Sequence, residues 1–173
     1  MATWRQGSSD TDLHPNRFQR WVQGLARRPF HSRWLAAALP GLDRPLLRLS
    51  GGRTSLTTLL TGLPVVTLTT QGRHSGLPRR ALLVGIPWDG GIALVASNFG
   101  QPRHPGWYYN LLADPQAHLA VRGREYACTA RLAQGAERDA LLERAAWVYP
   151  GYRDYQQRAG GREIGVFVLE ELR

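Results

Sequence analysis

The chain has 173 residues, of which 43% are hydrophobic and 20% are charged, and its formal net charge is +9. This length and composition predict a single globular domain and exclude wholesale disorder. The lone cysteine, Cys128, excludes an internal disulfide and a cysteine-based zinc site, and no apolar run approaches the length of a membrane span. The start of the sequence shows no apolar signal region, which favours the cytoplasm.

The positive charge is concentrated in the N-terminal third. Residues 1–60 contain nine arginines and three aspartates, whereas the rest of the chain is closer to balance. Such asymmetry indicates an anionic partner, which can be a membrane surface, a nucleic acid or a polyanionic cofactor.

Residues 1–60 are predicted to form a helical arm that belongs to the same domain as the rest of the chain. Apolar residues such as Phe18, Trp21 and Trp34 recur at helical spacing, with a break at Pro29, and arginines fill other positions. A basic amphipathic helix with tryptophans can lie on an anionic membrane. The commoner alternative is packing against the domain, with the arginines in solvent.

Residues 61–173 are predicted to form the main body of the domain, which is mainly β with helices (α+β). Segments rich in β-branched residues and bounded by turn residues predict six strands: Val65–Thr70, Arg79–Trp88, Ile92–Ser97, Ala117–Val121, Glu125–Leu132 and Ile164–Leu169. Helices are predicted over Gly106–Ala113 and Ala136–Tyr149. About six antiparallel strands with few helices favour a small barrel with covering helices.

The common catalytic motifs are missing from the sequence. It has neither a lysine-containing phosphate loop nor a G-x-S-x-G nucleophile motif, and no two of its five histidines have the i, i+4 spacing of a helical metal site. We therefore predict no metal site, and we expect any chemistry to come from a bound cofactor.

Two stretches have the composition of binding loops. The first, residues 69–80, lies between two predicted strands and contains two glycines, hydroxyl groups and three arginines, which suit a phosphate or carboxylate. The second, residues 95–111, ends a strand, crosses a loop and opens a helix, whose free N–H groups can bind an anion. A solvated basic hairpin and a simply packed helix start are the alternatives.

Together the two stretches resemble the deazaflavin-dependent nitroreductase family, which uses coenzyme F420 (8-hydroxy-5-deazaflavin) and includes quinone reductases. The first stretch matches the family's pattern at Thr69–Gly76 and Arg79. The second matches at Val95-Ala96-Ser97, Gly100, Pro102, Pro105, Trp107-Tyr108, Asn110-Leu111 and Asp114-Pro115. A late segment, Tyr149–Tyr155, and the closing strand Ile164–Leu169 are also similar, so the resemblance covers about residues 64–170.

The resemblance implies a split β-barrel of the flavin-reductase type, with the deazaflavin along its groove. It assigns the phosphate and polyglutamate tail to Arg73, His74 and Ser75, with help from Arg79 and Arg80. The ring would be lined by Ala81, Leu82, Leu83 and Val84 on one side and by Val95, Ala96, Ser97 and Asn98 on the other. The phosphate end would be held at the helix start by Gly106, Trp107, Tyr108, Tyr109 and Asn110.

The resemblance also supplies candidate catalytic residues. Tyr152 would close over the ring and Tyr155 would face the substrate; either hydroxyl, or solvent, could give the product its proton. Ser97 could hydrogen-bond the substrate or the ring. His74 stands where the family usually has lysine or arginine, and Phe99 replaces a small residue near the expected ring.

The expected function is hydride transfer from reduced coenzyme F420 to a quinone, a nitroaromatic compound or an activated alkene. The first alternative is a split-barrel protein that binds flavin mononucleotide (FMN) or haem, or that only carries a cofactor. The second is a basic nucleic-acid-binding module, which is disfavoured because basic and aromatic residues do not alternate along the strands as a stacking surface requires. A small-molecule electron acceptor is the expected partner, and the arm leaves an anionic membrane surface open as another.

Overall fold

The computed structural model describes residues 64–172, and the structural statements below concern that range. The arm predicted over residues 1–60 lies outside the described residues. Among the described residues, no helix has both the length and the apolar character needed to cross a bilayer.

Six strands form a closed antiparallel barrel. Their bounds are β1 Val65–Gln71, β2 Pro78–Trp88, β3 Gly91–Val95, β4 Gln116–Val121, β5 Arg124–Leu132 and β6 Val166–Glu171. The order around the barrel is β1-β2-β3-β6-β5-β4, and pairing of β1 with β4 closes it. The expected barrel of about six antiparallel strands is therefore confirmed.

Three helices and one short 3-10 turn accompany the strands. The helices are α1 Gly106–Ala113, α2 Gly135–Val148 and α3 Gly151–Arg158, and the 3-10 turn covers Asn98–Gly100. The first two agree with the predicted helices to within a residue. Sequence periodicity did not predict α3, because this segment is short and mostly polar and buries only its glycine and two tyrosines, Tyr152 and Tyr155.

The barrel wall separates two buried clusters of apolar side chains. Strand alternation sends Val66 and Leu68 of β1 into the barrel interior, where they pack with Leu119 and Phe167. A second cluster lies outside the wall, where α2 and α3 cover β2, β3 and β6. β3 faces both clusters, so all five of its residues are buried. This two-sided burial explains its continuous apolar sequence.

Two strand ends differ from the prediction at the point where the barrel meets α1. β3 ends at Val95 rather than Ser97, and β6 begins at Val166 rather than Ile164. Just before β6, the backbone of Gly165 passes so close to the Tyr108 ring that an added Cβ would lie 2.5 Å from a ring carbon. A glycine at this position therefore allows α1 to pack against the start of β6.

Candidate cofactor site

One end of the barrel carries a cavity of about 490 Å³. Its walls are the β1–β2 turn with the start of β2, and the first part of α1. The lining residues are Gly72, Arg73, His74, Ser75, Arg79, Arg80, Ala81, Gly106, Trp107 and Asn110. The two stretches that the sequence singled out thus meet in one cavity.

The turn between β1 and β2 is folded tightly around Gly72. Its N–H donates to the carbonyl of Leu77 at 2.9 Å, and its carbonyl accepts from the N–H groups of Ser75 and Gly76 at 3.1 and 2.7 Å. An added Cβ at Gly72 would lie 2.7 Å from Ser75 Oγ and 3.1 Å from the Leu77 oxygen. A side chain at position 72 would therefore push this loop out of shape.

Asn110 joins the two walls of the cavity. Its Oδ1 accepts from the backbone N–H of Arg73 at 3.2 Å, and its Nδ2 donates to Thr70 Oγ1 at 3.0 Å. Thr70 and Asn110 are both buried, so the bond between them is shielded from water. The Asn110 amide, which the family resemblance assigned to the phosphate end, holds α1 against the β1–β2 turn. The Thr70 hydroxyl likewise accepts a bond inside the protein.

The cavity is strongly basic. Its lining includes three arginines and no acidic residue, and within residues 64–172 none of the three forms an ion pair with a carboxylate. The Arg73 guanidinium lies 4.4 Å from the centre of the Tyr109 ring, and its Nε donates to His74 Nε2 at 2.8 Å. Arg79 approaches Ser75 Oγ at 3.4 Å. These groups therefore offer an anion positive charge that no carboxylate of residues 64–172 pairs with.

The loop between β3 and α1 is held in an unusual conformation. Asn98 and Phe99 have φ angles of 46° and 56°, a region that side chains other than glycine seldom occupy. The Asn98 amide donates to the Arg103 carbonyl at 2.9 Å. Phe99, 42% exposed, lies edge-on to Tyr155 with ring centres 5.9 Å apart.

His104 ends this loop beside α1. Its ring stacks on Tyr108 at 3.9 Å with an interplanar angle of 8°. Arg162, from the loop before β6, donates to His104 Nδ1 at 3.1 Å. Burial, and secondly the charge of Arg162, lower the pKa of His104 below its ordinary value. At neutral pH this imidazole is therefore an uncharged acceptor.

Tyr152 and Tyr155 do not line the cavity. Both are buried in the outer cluster with Tyr149, whose hydroxyl lies 3.3 Å from that of Tyr155. Burial, and secondly the neighbouring Tyr149, raise the pKa of both phenols above the ordinary value. Both hydroxyls therefore keep their protons at neutral pH. Their catalytic roles stay predictions.

The other predicted ring contacts are divided between the two clusters. Leu83 packs against the barrel interior and Val84 against the outer cluster, in keeping with the alternation of β2. Val95 belongs to the outer cluster, Ala96 to the interior, and Ser97 is buried just beyond β3. None of these residues lines the cavity, nor does Leu82 or Asn98.

Sequence reasoning missed two residues that shape the site. Gly72 belonged to the matched motif but was not named as a site residue, although a glycine at a turn is a recognisable signal. Arg162 had no signal, because its partners are 58 to 66 residues away in the chain. Within residues 64–172, no group of three or more histidine, cysteine or acidic side chains is arranged to hold a metal ion.

Fold and site together define a six-stranded barrel protein with a basic cavity suited to an anionic ligand. The family model for the F420H(2)-dependent quinone reductase matches residues 38–171, and the chain belongs to this family. The resemblance read from the motifs is thereby confirmed. Membership makes the protein an F420-dependent oxidoreductase, and it lends no support to FMN as the cofactor.

Similar proteins agree with this assignment. The F420H(2)-dependent quinone reductase of Mycobacterium tuberculosis is 34% identical over 112 residues, which are 61% of this chain and 72% of that protein. A solved F420-H2-dependent reductase, FDR-A, is 37% identical with a TM-score of 0.57, over 62% of this chain and 94% of the other. A solved domain-swapped dimer is 33% identical with a TM-score of 0.60, over 73% and 95%.

Proposed function

We propose that the protein reduces a quinone with coenzyme F420, and that it binds this coenzyme in the cavity between the β1–β2 turn and α1. The observation that carries the proposal is the meeting of three arginines, none of which forms an ion pair with a carboxylate of residues 64–172, with the start of a helix in one cavity. Nitroaromatic compounds and activated alkenes are alternative acceptors.

The chemistry of the cavity suits the tail of the coenzyme. That tail carries a phosphate and several carboxylates, and guanidinium groups bind such groups through charge-assisted hydrogen bonds. Gly106 opens the helix end of the cavity, since an added Cβ there would meet no atom within 4 Å. Backbone N–H groups of the first turn of α1 can thus approach an anion closely.

The apolar part of the cavity suits a ring. Ala81 and Trp107 supply apolar surface beside the polar groups, and such walls keep water from the reacting atoms. Reduced F420, when bound, supplies a hydride. The protein's own contribution is then to hold donor and acceptor about 3–3.5 Å apart.

The proton that completes the reduction has three proposed sources, two tyrosine hydroxyls and solvent. Tyr152 and Tyr155 stay protonated at neutral pH because burial raises each pKa, and Tyr155 packs against Phe99 in the loop that follows Ser97. Solvent is the third source. Tyr152→Phe and Tyr155→Phe test the choice: donation by either tyrosine predicts a large loss of kcat in that tyrosine's own variant, whereas donation by solvent leaves kcat unchanged in both.

The deciding experiment follows the oxidation of reduced F420 by absorbance with a panel of quinones, nitroaromatics and enones. We expect the quinones to be reduced fastest. Reduced FMN serves as the control donor, and equal rates with FMN would contradict the proposed specificity. A preference for nitroaromatics or enones would support F420 as the donor and would contradict a quinone as the acceptor. Tight, salt-dependent binding to DNA without any reductase activity would favour the nucleic-acid alternative.

A further inference from the structure

Arg162 is the only described side chain that ties the loop before β6 to the loop before α1 by several hydrogen bonds at once. Its Nε donates to the carbonyl of Gln101 at 3.0 Å, its Nη1 to that of Ala96 at 3.2 Å, and its Nη2 to that of Ser97 at 2.8 Å. Nη1 also donates to His104 Nδ1 at 3.1 Å. We call these four contacts the Arg162 clamp.

The clamp uses the planar shape of the guanidinium. Within residues 64–172, Arg162 forms no ion pair with a carboxylate, so its charge is balanced by carbonyl dipoles and by a neutral imidazole. A lysine ammonium is a compact point charge and lacks the fixed fork that reaches several acceptors at once. The geometry is therefore specific to arginine.

The segment under the clamp needs an external restraint. Asn98 and Phe99 both lie in the left-handed region, and such residues persist only where the surrounding structure holds them. Gly100 follows with a φ of 76°, and an added Cβ there would lie 3.0 Å from the Tyr155 carbonyl oxygen. Arg162 bonds the backbone on both sides of this turn, at Ser97 and at Gln101.

The same segment sets where α1 begins. It runs through His104, whose ring stacks on Tyr108, to Pro105 at the start of the helix. α1 then supplies Gly106, Trp107 and Asn110 to the cavity. Any shift of the segment is therefore passed to the helix end that faces the arginines of the β1–β2 turn.

We propose that Arg162 is a positioning residue for the coenzyme site, acting through the Ala96–His104 backbone to hold the start of α1 against the β1–β2 turn. The inference rests on the proposed function, because it assumes that the cavity binds the coenzyme. It adds a residue that does not line the cavity and that contacts one candidate catalytic residue, Ser97, at its backbone carbonyl.

The test compares Arg162→Gln and Arg162→Lys with a matched surface control. Arg153→Gln is suitable as the control, because Arg153 is an exposed residue of α3 whose ion pair with Glu143 is long, at 3.4 Å. Both Arg162 variants should weaken F420 binding and raise its KM about tenfold or more, since small misplacements of a binding wall have large effects. The control should stay within about twofold, as expected for a surface change.

Two further readouts separate positioning from a general loss of structure. At saturating F420, kcat should change much less than KM, whereas partial unfolding would lower kcat and leave KM unchanged. In the free protein, amide hydrogens of residues 97–110 should exchange faster in both variants, while those of the barrel strands keep their protection.

The outcomes decide the proposal and the function separately. Wild-type affinity and KM in both Arg162 variants would overturn the clamp, as would a fall in kcat with unchanged KM. If Arg162→Gln does not fold, Arg162→Lys decides by the same criteria. If the wild-type protein fails to bind F420, the proposed function fails, and exchange in the free protein still confirms or overturns the clamp.

Discussion

Arginine side chains at the cavity are oriented to different degrees before any ligand binds. Arg73 is held over the Tyr109 ring and by His74, whereas Arg79 has a long contact with Ser75 and Arg80 is exposed. Ordering a free arginine on binding costs conformational entropy. In the proposed complex we therefore expect Arg73 to contribute binding energy with little ordering cost, and we expect Arg79 and Arg80 to be ordered by the ligand.

Replacing Arg79 should distinguish binding of the coenzyme's tail from binding of its ring. Arg79→Ala should weaken the binding of full-length F420 by about tenfold, because a charge-assisted hydrogen bond is lost. The binding of a tail-less analogue should be weakened much less. The measurement is titration by tryptophan fluorescence quenching. Arg124→Ala removes the same charge from the start of β5, next to the Val121–Val66 pair and away from the β1–β2 turn, and should have little effect. Equal losses for the two ligands would refute a tail contact.

Trp107 should be tested by a conservative change rather than by truncation. It is only 7% exposed and packs on Phe167 with ring centres 6.1 Å apart, so Trp107→Ala would destabilise the fold by about 3–5 kcal/mol. Trp107→Phe should keep most of the stability and weaken coenzyme binding measured by calorimetry. Trp147→Phe, at an exposed position on α2, is the control. Unchanged affinity in Trp107→Phe would remove this residue from the site.

At the scale of elements, the site depends on how a hairpin and a helix are joined. The β1–β2 turn has its own internal hydrogen bonds, and α1 starts after a restrained loop. Asn110 supplies a direct polar link between them, with one bond to each of Arg73 and Thr70. The relative position of the two walls is therefore sensitive to a single buried amide.

A double-mutant cycle measures that link. Asn110→Ala should lower the free energy of unfolding by about 2 kcal/mol, because it leaves a buried hydroxyl and a backbone N–H without their partner. Thr70→Val removes the other partner of the side-chain bond. The two changes together should cost less than the sum of the singles, with a coupling of about 0.5–3 kcal/mol. Strict additivity in equilibrium urea unfolding would contradict the bond.

Much of this architecture follows from local sequence patterns. The β-branched run Val65–Thr70 predicts β1, which the structure extends by one residue, and Pro105 and Pro115 bracket α1. α3 has no such pattern, since tyrosine and glycine rather than aliphatic residues make its buried face. The meeting of the two walls was expected only from the family resemblance, because it follows from β1–β4 pairing between segments distant in the chain. The role of Arg162 could not be predicted from the sequence for the same reason, because its partners are also distant in the chain.

At the scale of the whole molecule, His104 couples stability to pH. Its lowered pKa means that the folded protein prefers the neutral imidazole, while the unfolded chain takes up a proton near the ordinary value of about 6.5. The free energy of unfolding should therefore be highest above that pH and should fall as the pH drops below it. Arg162, Tyr108 and Tyr109 are the charged and titratable groups around this ring.

The pH effect is measured by urea unfolding between about pH 5 and pH 8, the range in which an ordinary histidine titrates. His104→Gln can still accept from Arg162 but cannot titrate, so it should flatten the slope. His118→Gln, at an exposed position on β4, should keep the wild-type slope. Identical slopes in His104→Gln and the wild type would show that His104 does not carry the effect.

The two cavity walls flank the seam at which the barrel closes. The β1–β2 hairpin begins with β1, α1 is followed after two residues by β4, and the pairing of β1 with β4 completes the closed barrel. The cavity needs both walls, so under the proposed function we expect the coenzyme to bind the folded barrel and not the unfolded chain. Each tenfold excess of coenzyme over its Kd then adds about 1.4 kcal/mol to the native state. Bound coenzyme would therefore stabilise the closed barrel, and the melting temperature should rise with coenzyme concentration.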